Sequence, residues 1–216
     1  PEVMRQQLSG RELTLAEIGS LGHDVSTAEI TPVPILTHYD DKLGRYPYTG
    51  FNATGERVFT PSSVRDGGFA VTVGGKRYGK GSSREHSPAA EKLAGIRLVI
   101  AESFERIYRQ NADNIGLFTS TDFGLVERIR RGEAIQVDEL LQGRDALAQA
   151  ILRAGGLLRF GQQSLRALSP SQALPQERPQ TLFEKVLARH ALHTEVTGTT
   201  PRPGDGAFVR ADLRFI

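Results

Sequence analysis

The sequence predicts an α/β fold with parallel strands, and three observations carry that prediction. FAVTV at 69–73 is a short β-rich run set between Gly67-Gly68 and Gly74-Gly75. A helix follows, with Ser87 at its N-cap, Pro88 in its first turn and Gly95 at its left-handed end. IRLVIA at 96–101 is then a continuous apolar run of strand length, the pattern of a strand covered on both faces. Strand, loop, helix, strand, helix, strand is the chain order of parallel α/β units.

The elements justify themselves in order. Residues 1–22 read as a leader in which LTLAEIGSL forms a short helix ended by Gly19 and Gly22. VSTAEITPVPIL alternates and then meets Pro32 and Pro34, which predicts a strand entering a constrained loop. THYDDKLGRYPYTGFNATG is a long polar and aromatic loop of the kind that carries function or disorder. After IRLVIA, ESFERIYRQN has Phe104, Ile107 and Tyr108 at helical spacing, and GLF at 116–118 opens another strand. LVERIRRGEAI and DALAQAILRAGGLLRF are helical, while the proline-bearing polar stretch at 169–180 reads as a linker. TLFEKVLARHAL is a fresh amphipathic helix with Leu182, Phe183, Val186, Leu187 and Leu192 on one side, and a strand-like run ends the sequence.

Composition removes several function classes. The 216 residues hold no cysteine, which excludes disulfides, thiolate catalysis and any cysteine-ligated metal centre held by this chain alone. A net charge of +2, with basic and acidic residues interspersed, gives no nucleic-acid footprint. No apolar run approaches the roughly 18 residues of a membrane span, and PEVMRQQLSGREL lacks a signal-peptide core, so the expected location is the cytoplasm. His190 and His193 in RHALH have no carboxylate at zinc-like spacing and read as a solvated helix end.

The chemistry concentrates in GGKRYGKGSSREH, residues 74–86. A phosphate loop needs a hydroxyl after its lysine to hold magnesium, and Lys80 is followed by Gly81. A dinucleotide fingerprint fails at Arg84, where its third glycine belongs. Two readings remain: a glycine-rich connection in front of a helix, or a carboxylate clamp. For the clamp, successive main-chain N–H groups form an anion-binding concavity, two hydroxyls donate, and a guanidinium holds a carboxylate through two parallel bonds. A serine in such a positive concavity has its alkoxide stabilised, the precondition for acting as a base without histidine.

The stretch YGKGSSREHSPAAEKLAGIRLVIAESFERIYRQNADNIGL resembles the swivelling domain of the aconitase and isopropylmalate isomerase superfamily. Matching positions are Gly79, Gly81 through His86, Gly95, Ser103, Phe104, Arg106, Ile107, Asn111, Gly116 and Leu117. STAEITP at 26–32 is similar to that family's Thr-Asp-x-Ile-x-Pro segment, with Ala28 where aspartate is usual. TLFEKVLARHA and RPGDGAFVRADLRFI resemble the opening of the large cluster-bearing part of the same superfamily.

The resemblance implies an α/β swivelling domain, a β/β/α three-layer fold with a mixed or parallel sheet and flanking helices, over residues 23–168. It also implies that 181–216 begin the large catalytic domain, cut off near its start. The implied activity is a hydro-lyase that removes and re-adds water on a hydroxy di- or tricarboxylic acid. A 4Fe-4S cluster belongs to the complete enzyme and none to this chain, which is expected to be inactive without its partner. That partner is the large cluster-bearing domain, fused downstream or a separate subunit, and neither nucleic acid nor membrane is expected. By position, Ser82 is the base, Ser83 and Arg84 bind substrate carboxylate, and Arg45 of KLGRYPY is a further substrate contact. Glu85 and His86 match the motif and are expected to act structurally rather than in direct chemistry, and Arg106 and Asn111 are expected to brace the loop. Citrate, isopropylmalate, homocitrate, methylcitrate and dimethylmalate types all remain open as substrates. The alternative is a non-catalytic binding or assembly module that keeps the fold without the chemistry.

Overall fold

The computed structural model describes residues 2–12, 14–53, 55–82, 84–164, 169–170, 179–193 and 201–212. The chain divides into two compact units, residues 1–140 and 141–216.

The first unit begins with helices α1 (Glu2–Leu8) and α2 (Leu15–Ile18). Thr14 and Glu17 close α2 with a reciprocal capping box, so the short helix expected there is present. VSTAEI does not form the expected strand. Ser26 and Glu29 make a second capping box, and Thr27–Ile30 become helix α3. The serine side chain takes the Glu29 N–H while the Glu29 carboxylate takes the Ser26 N–H, which satisfies helix-start donors that a strand would leave to a neighbour. Pro32 stops the helix, and two 3-10 segments follow, Val33–Thr37 and Asp41–Arg45.

A small hairpin pairs β1 (Asn52–Ala53) with β2 (Glu56–Arg57), and helix α4 is Ser63–Asp66. The centre is a three-stranded parallel sheet. Its strands are β3 (Val71–Gly74), β4 (Leu98–Ala101) and β5 (Phe118–Ser120), joined by helices α5 (His86–Ala94) and α6 (Arg106–Ile115). Val71 pairs with Leu98 and Leu98 with Phe118, so the two parallel ladders share one central strand.

Burial explains the unbroken apolar run of β4. Leu98 and Ile100 pack with Leu125, while Val99 and Ala101 face Ile30, Ala112 and Leu117 on the other side. Each large apolar side chain so covered contributes roughly 1.5–3 kcal/mol. The α5 start differs in detail from the expected cap. The helix begins at His86, and Ser87 is a buried residue of its first turn whose hydroxyl donates to the Thr27 carbonyl at 3.0 Å. Gly95 does end the helix as expected, at φ +110°. Helices α7 (Gly124–Arg130) and α8 (Val137–Leu140) complete the unit.

The second unit holds α9 (Ala146–Arg153), capped by Asp145, and α10 (Leu157–Ser164). A three-stranded antiparallel sheet orders β6 (Ser169–Pro170), β7 (Ala191–His193) and β8 (Phe208–Val209), with helix α11 (Leu182–His190) before β7. Thr181 and Glu184 form a capping box at the start of α11; the expected helix is present but ends at His190, so Leu192 falls in β7, and Leu182, Phe183 and Val186 of its apolar side are exposed. Most of the expected linker, 171–178, lies outside the described residues. No helix among the described residues is long and apolar enough to cross a membrane.

Candidate functional site

The chain from Gly75 onward connects β3 to α5, and its stretch up to Lys80 is stitched down by main-chain bonds. Tyr78 N–H donates to the Ser103 carbonyl and Glu105 N–H to the Tyr78 carbonyl, both at 2.9 Å. Gly79 and Lys80 both donate to the Val25 carbonyl, at 2.8 and 3.1 Å, and Thr27 N–H donates to the Lys80 carbonyl at 2.8 Å. The Ser103 hydroxyl accepts the Arg77 N–H at 2.9 Å. Ser103 and Phe104, matched by motif in the sequence, thus brace the turn from behind.

Gly79 is irreplaceable for two reasons. Its φ is +81°, and a Cβ there would come within 2.2 Å of Tyr108 Cγ. The Tyr108 ring is therefore the floor on which the loop rests.

The loop's cations divide into two kinds. Arg77 Nη2 lies 2.5 Å and Lys80 Nζ 3.7 Å from Asp24 Oδ1. Arg77 above all, then Lys80, holds the Asp24 carboxyl below its usual range. Lys80 is thus engaged by a protein carboxylate. Arg84, by contrast, is half-buried, and its Nη1 is enclosed without a hydrogen-bond partner among the described residues. An enclosed guanidinium nitrogen without an acceptor is costly. Ser82 is exposed two residues before Arg84, and Ser83 lies outside the described residues.

Arg45 stands elsewhere along α5. Its Nε donates to the Ser62 hydroxyl at 3.3 Å, and the adjoining Gly44 packs on the Leu93 main chain at the C-terminal end of the helix. Ser82 and Arg84 precede the N-terminal end. The part of the same loop that reaches that end is Tyr39, whose ring lies edge-on to His86 with centroids 4.9 Å apart. Partial desolvation, with the Glu85 carboxylate beside it, pushes the phenol of the largely exposed Tyr39 up to about 12.

Sequence reasoning missed Tyr39, Asp24 and a buried Glu91. Glu91 sits three and four residues after Pro88 and Ser87 and three before Ala94, all inward-facing, and that helical stripe was the available signal. Its Oε1 accepts from Tyr48 at 2.5 Å and Tyr78 at 2.6 Å, and its Oε2 accepts from Tyr108. Among the described residues no group of three or more His, Asp or Glu converges as a metal site.

Comparison with known proteins gives a consistent picture. The model of the aconitase C-terminal domain matches residues 58–121. The chain is 33% identical over 165 residues to the isopropylmalate/citramalate isomerase small subunit of Methanocaldococcus jannaschii, covering 69% of this chain and 94% of that protein. It is 40% identical over 163 residues to the 3-isopropylmalate dehydratase small subunit of Aquifex aeolicus, covering 68% and 94%. The corresponding figures for the protein of the same name from Halothermothrix orenii are 37% over 153 residues, 63% and 88%. A crystal structure of 3-isopropylmalate dehydratase from Methanocaldococcus jannaschii superposes with a TM-score of 0.47 at 29% identity, covering 66% of this chain and 89% of that one.

Proposed function

The chain belongs to the family of 3-isopropylmalate dehydratase small subunits, and on that footing we propose that it is the substrate-closing half of a cytoplasmic hydro-lyase. The reaction is removal and re-addition of water on a hydroxy di- or tricarboxylic acid. The observation that carries this reading is the enclosed, unpartnered Nη1 of Arg84 on the turn that also bears Ser82.

In this reading Arg84 takes a substrate carboxylate once its enclosed Nη1 is opened to the site, with Ser83 adding a hydroxyl. The fixed positive charge then stands where negative charge grows when the neighbouring carbon loses its proton. Ser82 accepts that proton, its alkoxide supported by the same concavity. Arg45, held by Ser62 toward the other end of α5, is kept as a further substrate contact by its place in KLGRYPY. A 4Fe-4S cluster in the complete enzyme supplies a Lewis acid for the departing hydroxyl. Such clusters take thiolate ligands and this sequence has none, so the cluster is held by the large part of the enzyme.

Residues 23–168 are proposed as the swivelling domain, 169–180 as a linker and 181–216 as the opening of the large cluster-bearing part, fused or supplied as a separate subunit. The relatives' names make 3-isopropylmalate the first substrate to test. The chain assembled with the large part should convert a hydroxy acid of this class, and the chain alone should not. Failure of the cluster-loaded assembly to act on any of the five acid types overturns the proposal. A downstream coding sequence with three cluster-binding cysteines supports fusion, and its absence points to a separate subunit.

A further inference from the structure

We infer that Glu91, with the three tyrosines bound to it, is the positioning residue of the proposed site: one buried carboxylate sets the Gly79–Arg84 loop against the segment bearing Arg45. The inference rests on the function proposed above.

Each tyrosine belongs to a different part of the site's frame. Tyr78 immediately precedes Gly79, and Tyr108 forms the floor under it. Tyr48 stands three residues after Arg45 at φ +64°, its N–H donating to the Ile30 carbonyl at 2.8 Å. Glu91 itself rides on α5, which begins directly after the loop. The carboxylate therefore ties both flanks of the loop and the neighbouring segment to one acceptor. The Tyr48 hydroxyl extends the network to Thr72 Oγ1 of β3 at 2.7 Å.

The chemistry argues for a purpose beyond packing. Glu91 is fully buried, and a buried carboxyl is costly where an apolar side chain would fill the same space. Burial pushes its carboxyl up against the opposing effect of three phenol donors. What the arrangement gains is a single geometry: three O–H groups converging on two oxygens fix the rings of Tyr78 and Tyr108, whereas apolar contacts would let them shift. Glu91 has no access to substrate, so it acts only through the loop.

The test uses Glu91→Gln and Tyr78→Phe in the complete enzyme. The glutamine keeps the volume but presents an amide NH2 to phenols that need acceptors, and the phenylalanine removes one hydroxyl while keeping the ring. With folding verified by circular dichroism, the Gly79 and Lys80 amides should exchange hydrogen at least tenfold faster, while Val99 and Ile100 of β4 keep their protection. kcat/KM should fall by about tenfold to a hundredfold, the size expected when a loop is misplaced by a fraction of an ångström to 1 Å. Should Glu91→Gln fail to fold, Tyr78→Phe decides. A folded variant with wild-type exchange at Gly79 and Lys80, or with wild-type kcat/KM, overturns the inference. Ser82→Ala separates the two claims: it should lower kcat by about 10²–10⁴-fold with exchange unchanged. Normal turnover there removes the base and leaves the positioning result to stand or fall on exchange.

Discussion

Tyr108 lies so close beneath Gly79 that a single added methyl group would overlap its ring. Gly79→Ala combines that overlap with a left-handed backbone that L residues disfavour, and should cost about 3 kcal/mol or more. Denaturant unfolding measures it directly. A loss under about 1 kcal/mol would mean that the loop can lift off the ring, against the rigid floor described here.

Arg84→Lys keeps the charge but loses the planar pair of donors. Substrate KM should rise by roughly tenfold or more in the complete enzyme, in line with about 1.5–3 kcal/mol for a charged hydrogen bond, with a smaller change in kcat. Steady-state kinetics with a hydroxy dicarboxylic acid is the measurement. An unchanged KM would separate Arg84 from carboxylate binding.

Arg45→Ala should raise KM less than Arg84→Lys does, because Arg45 must first give up Ser62. A KM identical to wild type removes it from the substrate contacts. A larger effect than that of Arg84→Lys would instead place it at the centre of recognition.

His190 offers a prediction independent of catalysis. Its Nδ1 is 2.8 Å from the Val186 carbonyl and its Nε2 2.6 Å from Asp212 Oδ2, and serving both acceptors requires a proton on each nitrogen. The Val186 carbonyl first and the Asp212 carboxylate second raise its pKa above 6.5. Because the folded value is raised, the stabilisation is complete below the unfolded pKa and disappears as pH climbs through the folded one. Proton NMR titration should place the midpoint above 6.5. Asp212→Asn should lower it without restoring the free value, since Val186 still accepts. A midpoint unmoved by Asp212→Asn would contradict the pairing.

The βαβ core was legible because its signals are local. IRLVIA declares a doubly covered strand, and Gly95 declares the end of α5. The segment at 26–30 reads as a strand yet folds as a helix because alternation and a capping box share the same letters. S-x-x-E was present, and the local hydrogen bonds it offers outweighed strand propensity. Ser82, Ser83 and Arg84 are proposed from the motif, whereas the features that single out Arg84 and Glu91 are non-local. The neutralisation of Lys80 by Asp24 depends on a fold that brings two distant segments together. Glu91 draws its donors from residues 43, 13 and 17 positions away. The inward stripe of Ser87, Pro88 and Ala94 marks Glu91 as buried, but nothing local in AAEKLAG reveals the three tyrosines that enclose it.

The proposed function turns on Ser82 as the base. In the complete, cluster-loaded enzyme, Ser82→Ala should lower kcat by about 10²–10⁴-fold while substrate affinity, measured by equilibrium binding, stays within a few-fold of wild type. Turnover near the wild-type rate would contradict the assignment.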